Sequence, residues 1–277
     1  MKKSTSTSTG FAEMSGLAFA EPARVAESIR ALVAATSTSG GDFAYFEALN
    51  RIQPRQIRLD DIEEAPKSVF EFDHPDDRSI VEHFLEGETI QATHVFEGES
   101  RHRIEQRLSQ GFDLLAEFDN EIPAMVAALV ARIFFAAKTG FGGASTADML
   151  GCVWLSPPNR WEDVDYAEAV YHESVHQALF LEEMVHGVYT VEAAEMLEED
   201  ARVVSAIRRE RRPFDASFHA ACVAAALLDL YRHLDRPERV QPLEEGLKPS
   251  VEEMTQKEGY LNANGQRILS QIQLSVA

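Results

Sequence analysis

Cysteine is scarce in this chain. Only Cys152 and Cys222 occur in 277 residues, each among apolar neighbours. A disulfide framework of the kind that staples small secreted domains is excluded, and two separate buried thiols in a reducing compartment are a simpler expectation than one bridge. Long apolar runs are also missing. No stretch of about 18 uninterrupted apolar residues occurs, so no membrane span is predicted. The amino terminus, MKKSTSTSTG, has two lysines, then a polar run and no apolar h-region, which argues against a signal peptide. These shortages together predict a cytoplasmic protein that does not engage a membrane. Positive charge is the third shortage: 26 Lys and Arg stand against 46 Asp and Glu, for a formal net charge of −20. That sign argues against nonspecific binding to nucleic acid or to anionic lipid. It would suit a basic partner such as a cationic peptide, although an acidic surface also serves solubility alone.

What is present is an ordinary supply of core. Hydrophobic residues make up 45% of the chain, enough for a sizeable interior in one large or two modest domains. Residues 1–10 read as a disordered, low-complexity tail. Residues 11–146 read as a variable helical region and 147–277 as a metal-binding catalytic region, unless 11–277 is one continuous domain. Apolar periodicity predicts helices over 22–35 (ended by the STSGG run), 78–85, 101–137 with a break at Pro123, 163–186, 188–210 and 216–235, and a weaker pair after Pro242. Residues 50–78 mix proline with charge and read as loop with short extended pieces. The best strand is Cys152-Val153-Trp154-Leu155, fed by a glycine-rich stretch in which Gly140–Gly143 is a candidate lid. The expected fold is mainly α with one or a few short strands, the helix around His172 packing against a helix that carries His219.

The segment His172-Glu173-Ser174-Val175-His176 matches HExxH. Two residues four apart on a helix lie on one face about a turn apart, so both imidazoles can reach one ion, while Glu173 points aside toward a metal-bound water or an incoming ligand. A third protein ligand is needed. His186 lies ten residues past His176, about 15 Å along a continuous helix, and no glycine between them turns the chain back. Glu195 and Glu199 fall on the polar side of the predicted 188–210 helix, opposite Ala193, Leu197, Val204 and Ile207, and read as a solvated face. Asp200 falls among the apolar positions, as either a partner to a ligand histidine or a surface-edge carboxylate. His219 heads the stripe Cys222, Val223, Ala226, Leu227 and Leu230, which puts its imidazole at the centre of a core-facing helix surface; it is the expected third ligand. Just before it, Arg208, Arg209, Arg211 and Arg212 crowd into five positions. An arginine there could clamp a carboxylate ligand bidentately beside the metal, or the four could be a solvated basic patch.

Three pieces of the chain, ADMLGCVWLSP, YHESVHQALF and RRERRPFDASFHAACVAAALL, cover roughly residues 147–230. In this combination the sequence resembles the α-ketoglutarate-dependent HExxH-type peptide β-hydroxylases that act on ribosomally made, post-translationally modified peptides. The resemblance implies an iron(II) enzyme that consumes α-ketoglutarate and O2 and hydroxylates a β-carbon of a precursor peptide. It implies His172, His176 and His219 as iron ligands and Arg212, or else Arg208, as the holder of the cosubstrate's distal carboxylate. Glu173 would then orient substrate or water. The common non-haem iron oxygenases use two histidines and one carboxylate, so a three-histidine set departs from that pattern. Spacing by itself points to zinc, and the alternative is a cytosolic zinc metallopeptidase with Glu173 as general base. A peptide-binding protein without catalysis is the third reading. Oligomeric state is not readable from the sequence.

Overall fold

The computed structural model describes residues 16–36, 44–59 and 65–276. The tail at 1–10 and the STSGG run lie outside the described residues. In chain order the elements begin with α1 (Pro22–Thr36), α2 (Ala44–Ile52), β1 (Lys67–Val69), α3 (Pro75–Phe84), α4 (Gly98–Phe118) and α5 (Ile122–Leu129). Next come β2 (Arg132–Phe135), β3 (Gly143–Ala144), β4 (Cys152–Leu155), α6 (Asp163–His186) and the short α7 (Ala193–Met196). The hairpin strands β5 (Val203–Val204) and β6 (Arg211–Arg212) lead into α8 (Phe214–His233), α9 (Pro237–Gln256) and α10 (Ala263–Ser275). The fold is mainly α, as the periodicity predicts.

Helix α6 spans the predicted 163–186. Glu162 and Asp165 close a capping box at its start, acidic side chains occupy the first turn, and Gly187 at φ 69° ends it in a conformation that favours glycine. It packs on α4, α1 and α8, which places the HExxH turn at the centre of the molecule. Helix α8 is long and apolar enough by composition to cross a membrane, but that window is 83% buried inside the protein, as befits a core helix. The predicted break at Pro123 is present, with the proline in the first turn of α5.

Several stretches differ from the periodicity. The predicted helix through 137 ends at Leu129, and Arg132-Ile133-Phe134-Phe135 forms β2. This strand is central in a four-stranded sheet of order β1-β2-β4-β3, parallel to both β1 and β4, with β3 antiparallel along the outer edge of β4. A strand buried on both faces shows a continuous apolar run rather than alternation, which a helical periodicity can mimic. Its one charged member, Arg132, is fully buried and donates from Nε and Nη2 to the Arg58 carbonyl.

The predicted 188–210 helix is absent. The chain leaves α6 at Gly187, makes only one helical turn at α7, then forms the antiparallel β5–β6 hairpin, in whose turn Arg209 takes φ 60°. Val203-Val204 favours a strand, and hairpin closure comes from the Ser205 N–H donating to the Glu210 carbonyl at 2.9 Å. The carboxyl-terminal pair begins earlier than Pro242: α9 starts at Pro237 and carries Pro242 and Pro249 inside it. Helix α2 has no counterpart in the periodicity reading.

Candidate metal centre

His172 and His176 stand one turn apart on α6, with ring centroids 5.0 Å apart. His219 projects from the second turn of α8 and is 7% exposed. Its Nδ1 lies 3.2 Å from His176 Nδ1, and its Nε2 is 2.6 Å from Glu183 Oε1. The Phe180 ring covers the pair, 4.6 Å from the His219 ring. Glu183 was not singled out in the sequence, yet it lies seven residues after His176 and therefore on the same helix face. By accepting the Nε2–H of His219 it sets the tautomer whose Nδ1 lone pair faces His176, the arrangement by which carboxylates orient ligand histidines.

Burial pushes the His172 imidazole down to about 4, and the charge of Arg208 adds to the effect. Burial, with the neighbouring histidines, holds His176 well below its usual value. Both rings are therefore neutral near neutral pH, the form that binds metal. Glu173 is buried, and burial pushes it up to about 7 against the opposing hydrogen bond from Ser145 Oγ to its Oε2 at 2.8 Å. Ser145, by contrast, is a residue that spacing could not reveal, because it meets Glu173 only through β3.

Among the described residues, no three His, Cys, Asp or Glu side chains are gathered at once around a common point as they stand. The donor chemistry nevertheless fits a divalent first-row ion. Two nitrogens each about 2.1 Å from one ion and cis to each other lie roughly 3.0–3.4 Å apart, which brackets the His176–His219 separation of 3.2 Å. His172, one turn before His176, borders the same cavity as His176.

That cavity, of about 460 Å³, is bordered by His172, Glu173 and His176 on the α6 side and by Arg208 and Arg212 on the hairpin side. The four arginines divide. Arg209 donates to the Pro242 carbonyl, and Arg211 pairs with Glu253 at 3.0 Å and donates to the Arg202 carbonyl. Arg208 and Arg212 border the cavity, and among the described residues neither guanidinium has an ion-pair partner. Small apolar side chains, Ala169, Ala216 and Ala220, leave the space between open.

The other candidates lie elsewhere. His186 ends α6 with its Nε2 3.1 Å from Ser28 Oγ and 3.8 Å from Glu182. Glu195, Glu199 and Asp200 are exposed, but Glu195 sits on the one-turn α7 and Glu199 and Asp200 on the irregular segment after it, not on the polar side of a long helix. Gly142 and Gly143 belong to the cavity wall: Gly142 accepts from the Ser156 N–H at 2.8 Å and Gly143 pairs with Leu155, so this half of the Gly140–Gly143 loop is tied to β4 instead of being a free lid. Cys152 and Cys222 are free and buried. Compared with known proteins, the chain matches no family model and no curated protein.

Proposed function

We propose that this protein is an iron(II) and α-ketoglutarate-dependent oxygenase that hydroxylates a β-carbon in a ribosomally made precursor peptide. The observation that carries the reading is the pair of arginines, Arg208 and Arg212, that have no ion-pair partner among the described residues and face the HExxH histidines across one cavity. A metal site that must also hold a dicarboxylate needs such a clamp. A hydrolytic site does not.

In this reading His172, His176 and His219 hold the iron, and Glu183 keeps the His219 ring in register. With the cosubstrate bound, the iron centre supplies oxidative decarboxylation coupled to hydroxylation: α-ketoglutarate, O2 and a C–H group become succinate, CO2 and a C–OH group. Arg212, with Arg208 beside it, receives the distal carboxylate. Glu173 and Ser145 form a hydrogen-bonded pair at the cavity wall that orients the substrate or a water. The acidic chain, with its free thiols, fits a cytoplasmic setting.

One observation favours the second reading, a zinc metallopeptidase. A buried carboxyl raised to about 7 is poised to take a proton from a metal-bound water, as a general base requires. Succinate formation separates the two. Anaerobically iron-loaded protein, given α-ketoglutarate and then O2 with candidate precursor peptides, is expected to form succinate and a peptide one oxygen heavier. His219→Ala should abolish both products. Arg212→Ala should raise the α-ketoglutarate KM by about tenfold or more, the loss of a charge-assisted pair. Arg211→Ala, whose side chain is engaged with Glu253, should leave it unchanged. Peptide cleavage by zinc-loaded protein with no succinate would return the chain to the peptidases.

A further inference from the structure

A second, larger cavity of about 870 Å³ lies beside the metal-site cavity and shares two of its lining residues, Gly142 and Trp161. The two spaces adjoin at these residues, just before β3, the edge strand that pairs with β4 on one side only. Gly142 forms the junction. A Cβ there would come within 3.3 Å of Trp161 Cζ2, so the absence of a side chain lets the indole pack closely on the backbone where the two spaces meet.

The chemistry of the second space differs from that of the molecule around it. Arg160 and Lys138 line it, and among the described residues Arg160 has no ion-pair partner. The Lys138 ammonium is buried without a hydrogen bond, 3.2 Å from Glu86 Oε2 and 4.6 Å above the Phe141 ring. Phe141 is itself 41% exposed, a large apolar surface left open to the groove. Two carboxylates stand nearby: Glu86 is the exposed partner of Lys138, and Glu88, 61% exposed, borders the space 3.8 Å from the His94 ring. With Arg208 and Arg212 in the adjoining space, cationic groups border both cavities on a chain whose formal charge is −20.

We propose that the two adjoining spaces together make one peptide-binding groove, and that the segment flanking the modified residue is acidic, its carboxylates meeting Arg160 and Lys138 and its apolar side chains meeting Phe141 and Trp161. The proposal rests on the peptide-oxygenase reading and supplies the substrate class that reading lacks. It reverses the expectation from net charge alone. At physiological ionic strength charges separated by more than about 8 Å are largely screened, so the charges lining the groove, Arg160 foremost, count for more than the distant acidic surface. An extended peptide would add to the β3 edge through main-chain hydrogen bonds while its alternate side chains enter the two spaces.

Fluorescence anisotropy tests this without cosubstrate or oxygen. The probes are short fluorescein-labelled peptides of alternating Glu and Leu, and their Gln–Leu and Lys–Leu counterparts. The Glu probe should bind on the order of tenfold more tightly than the Gln probe, and the Lys probe most weakly. Arg160→Glu, an exposed position, should erase the preference. Arg30→Glu on α1 changes the net charge equally outside the groove and should preserve it. Lys138→Met, at a less exposed position, should weaken the preference, with circular dichroism confirming its fold. Equal affinity for Glu and Gln probes, a preference for the Lys probe, or equal effects of the Arg160 and Arg30 variants would overturn the proposal. Glu-selective binding without succinate formation would keep the groove and remove the oxygenase. Succinate formation with no Glu preference would do the reverse.

Discussion

Glu183 shows how much rests on single side chains. Its carboxylate takes one nitrogen of His219 and so leaves the other directed at His176. Partners of this kind typically contribute about 10–100-fold in metal affinity. Glu183→Gln keeps the shape and weakens the acceptor, so chelator-competition titration with iron(II) or zinc should show a loss in that range. An unchanged affinity would reduce Glu183 to a surface-edge carboxylate. HExxH alone predicts His172, Glu173 and His176, and the apolar stripe of α8 predicts His219, because both are local spacings. Glu183 was legible by the same rule, seven positions along one face, but nothing in the sequence marked it among the many glutamates. Ser145 was not legible at all, because its approach to Glu173 depends on how β3 lies against α6.

At the scale of elements, the β5–β6 hairpin delivers Arg208 and Arg212, and it rests on α9. Gly246 of α9 is buried, and a Cβ there would fall 2.1 Å from the Ala206 carbonyl oxygen and 2.6 Å from the Arg209 guanidinium. The backbone contact cannot yield without moving the loop. Overpacking costs about 1–3 kcal/mol, more than the roughly 1 kcal/mol that alanine gains over glycine in a helix interior. Gly246→Ala should therefore lower the urea midpoint and raise the α-ketoglutarate KM together. A stabilised variant with unaltered KM would show that the loop is not held by this contact.

Glu182 performs a similar tie elsewhere. Only 1% exposed, it accepts from Arg24 of α1 at 2.7 and 3.1 Å and from Asn264 of α10 at 2.9 Å. Burial alone would raise this carboxyl, but the hydrogen bonds from Arg24 and Asn264 outweigh it and hold the pKa below the usual 4.5. The unfolded chain thus binds the proton more readily, and the stabilisation is present in full above the unfolded value and lost as pH falls through the folded one. Glu182→Gln should cost about 2–3 kcal/mol near neutral pH. The gap from wild type in chemical denaturation should close as pH falls below 4.5. A gap independent of pH would mean that packing, not charge, holds these three helices.

Across the whole molecule, one hydrophobic core runs from Leu17 to Ile272, and α6 passes through its middle. An ion bound to α6 and α8 links two central helices of that core, so binding should report on global stability. A ligand at a hundredfold excess over its Kd adds about 2.7 kcal/mol, and each kcal/mol moves the Tm of a chain this size by about 2–4 °C. Iron(II) or zinc should raise the wild-type Tm accordingly, and His219→Ala should lose the increment. No shift in the wild type at saturating metal would remove the metal centre. The acidic surface and the cationic groove also belong to this scale, since a net charge says nothing of where its minority sign gathers.

The sequence by itself determined what depends on neighbours along the chain. The bounds of α6 follow from its capping box and its terminal glycine, β4 from a short apolar run between glycines and prolines, and the histidine spacing from the pitch of a helix. Tertiary structure alone decided what depends on distant partners. Arg132-Ile133-Phe134-Phe135 becomes a strand because β1 and β4 pair with it on both sides. Residues 203–212 become a hairpin where a helical wheel can be drawn equally well. The arginines divide two and two because α9 and Glu253 engage Arg209 and Arg211, which leaves Arg208 and Arg212 for the cavity. Local periodicity records which face is apolar, not which surface will meet it.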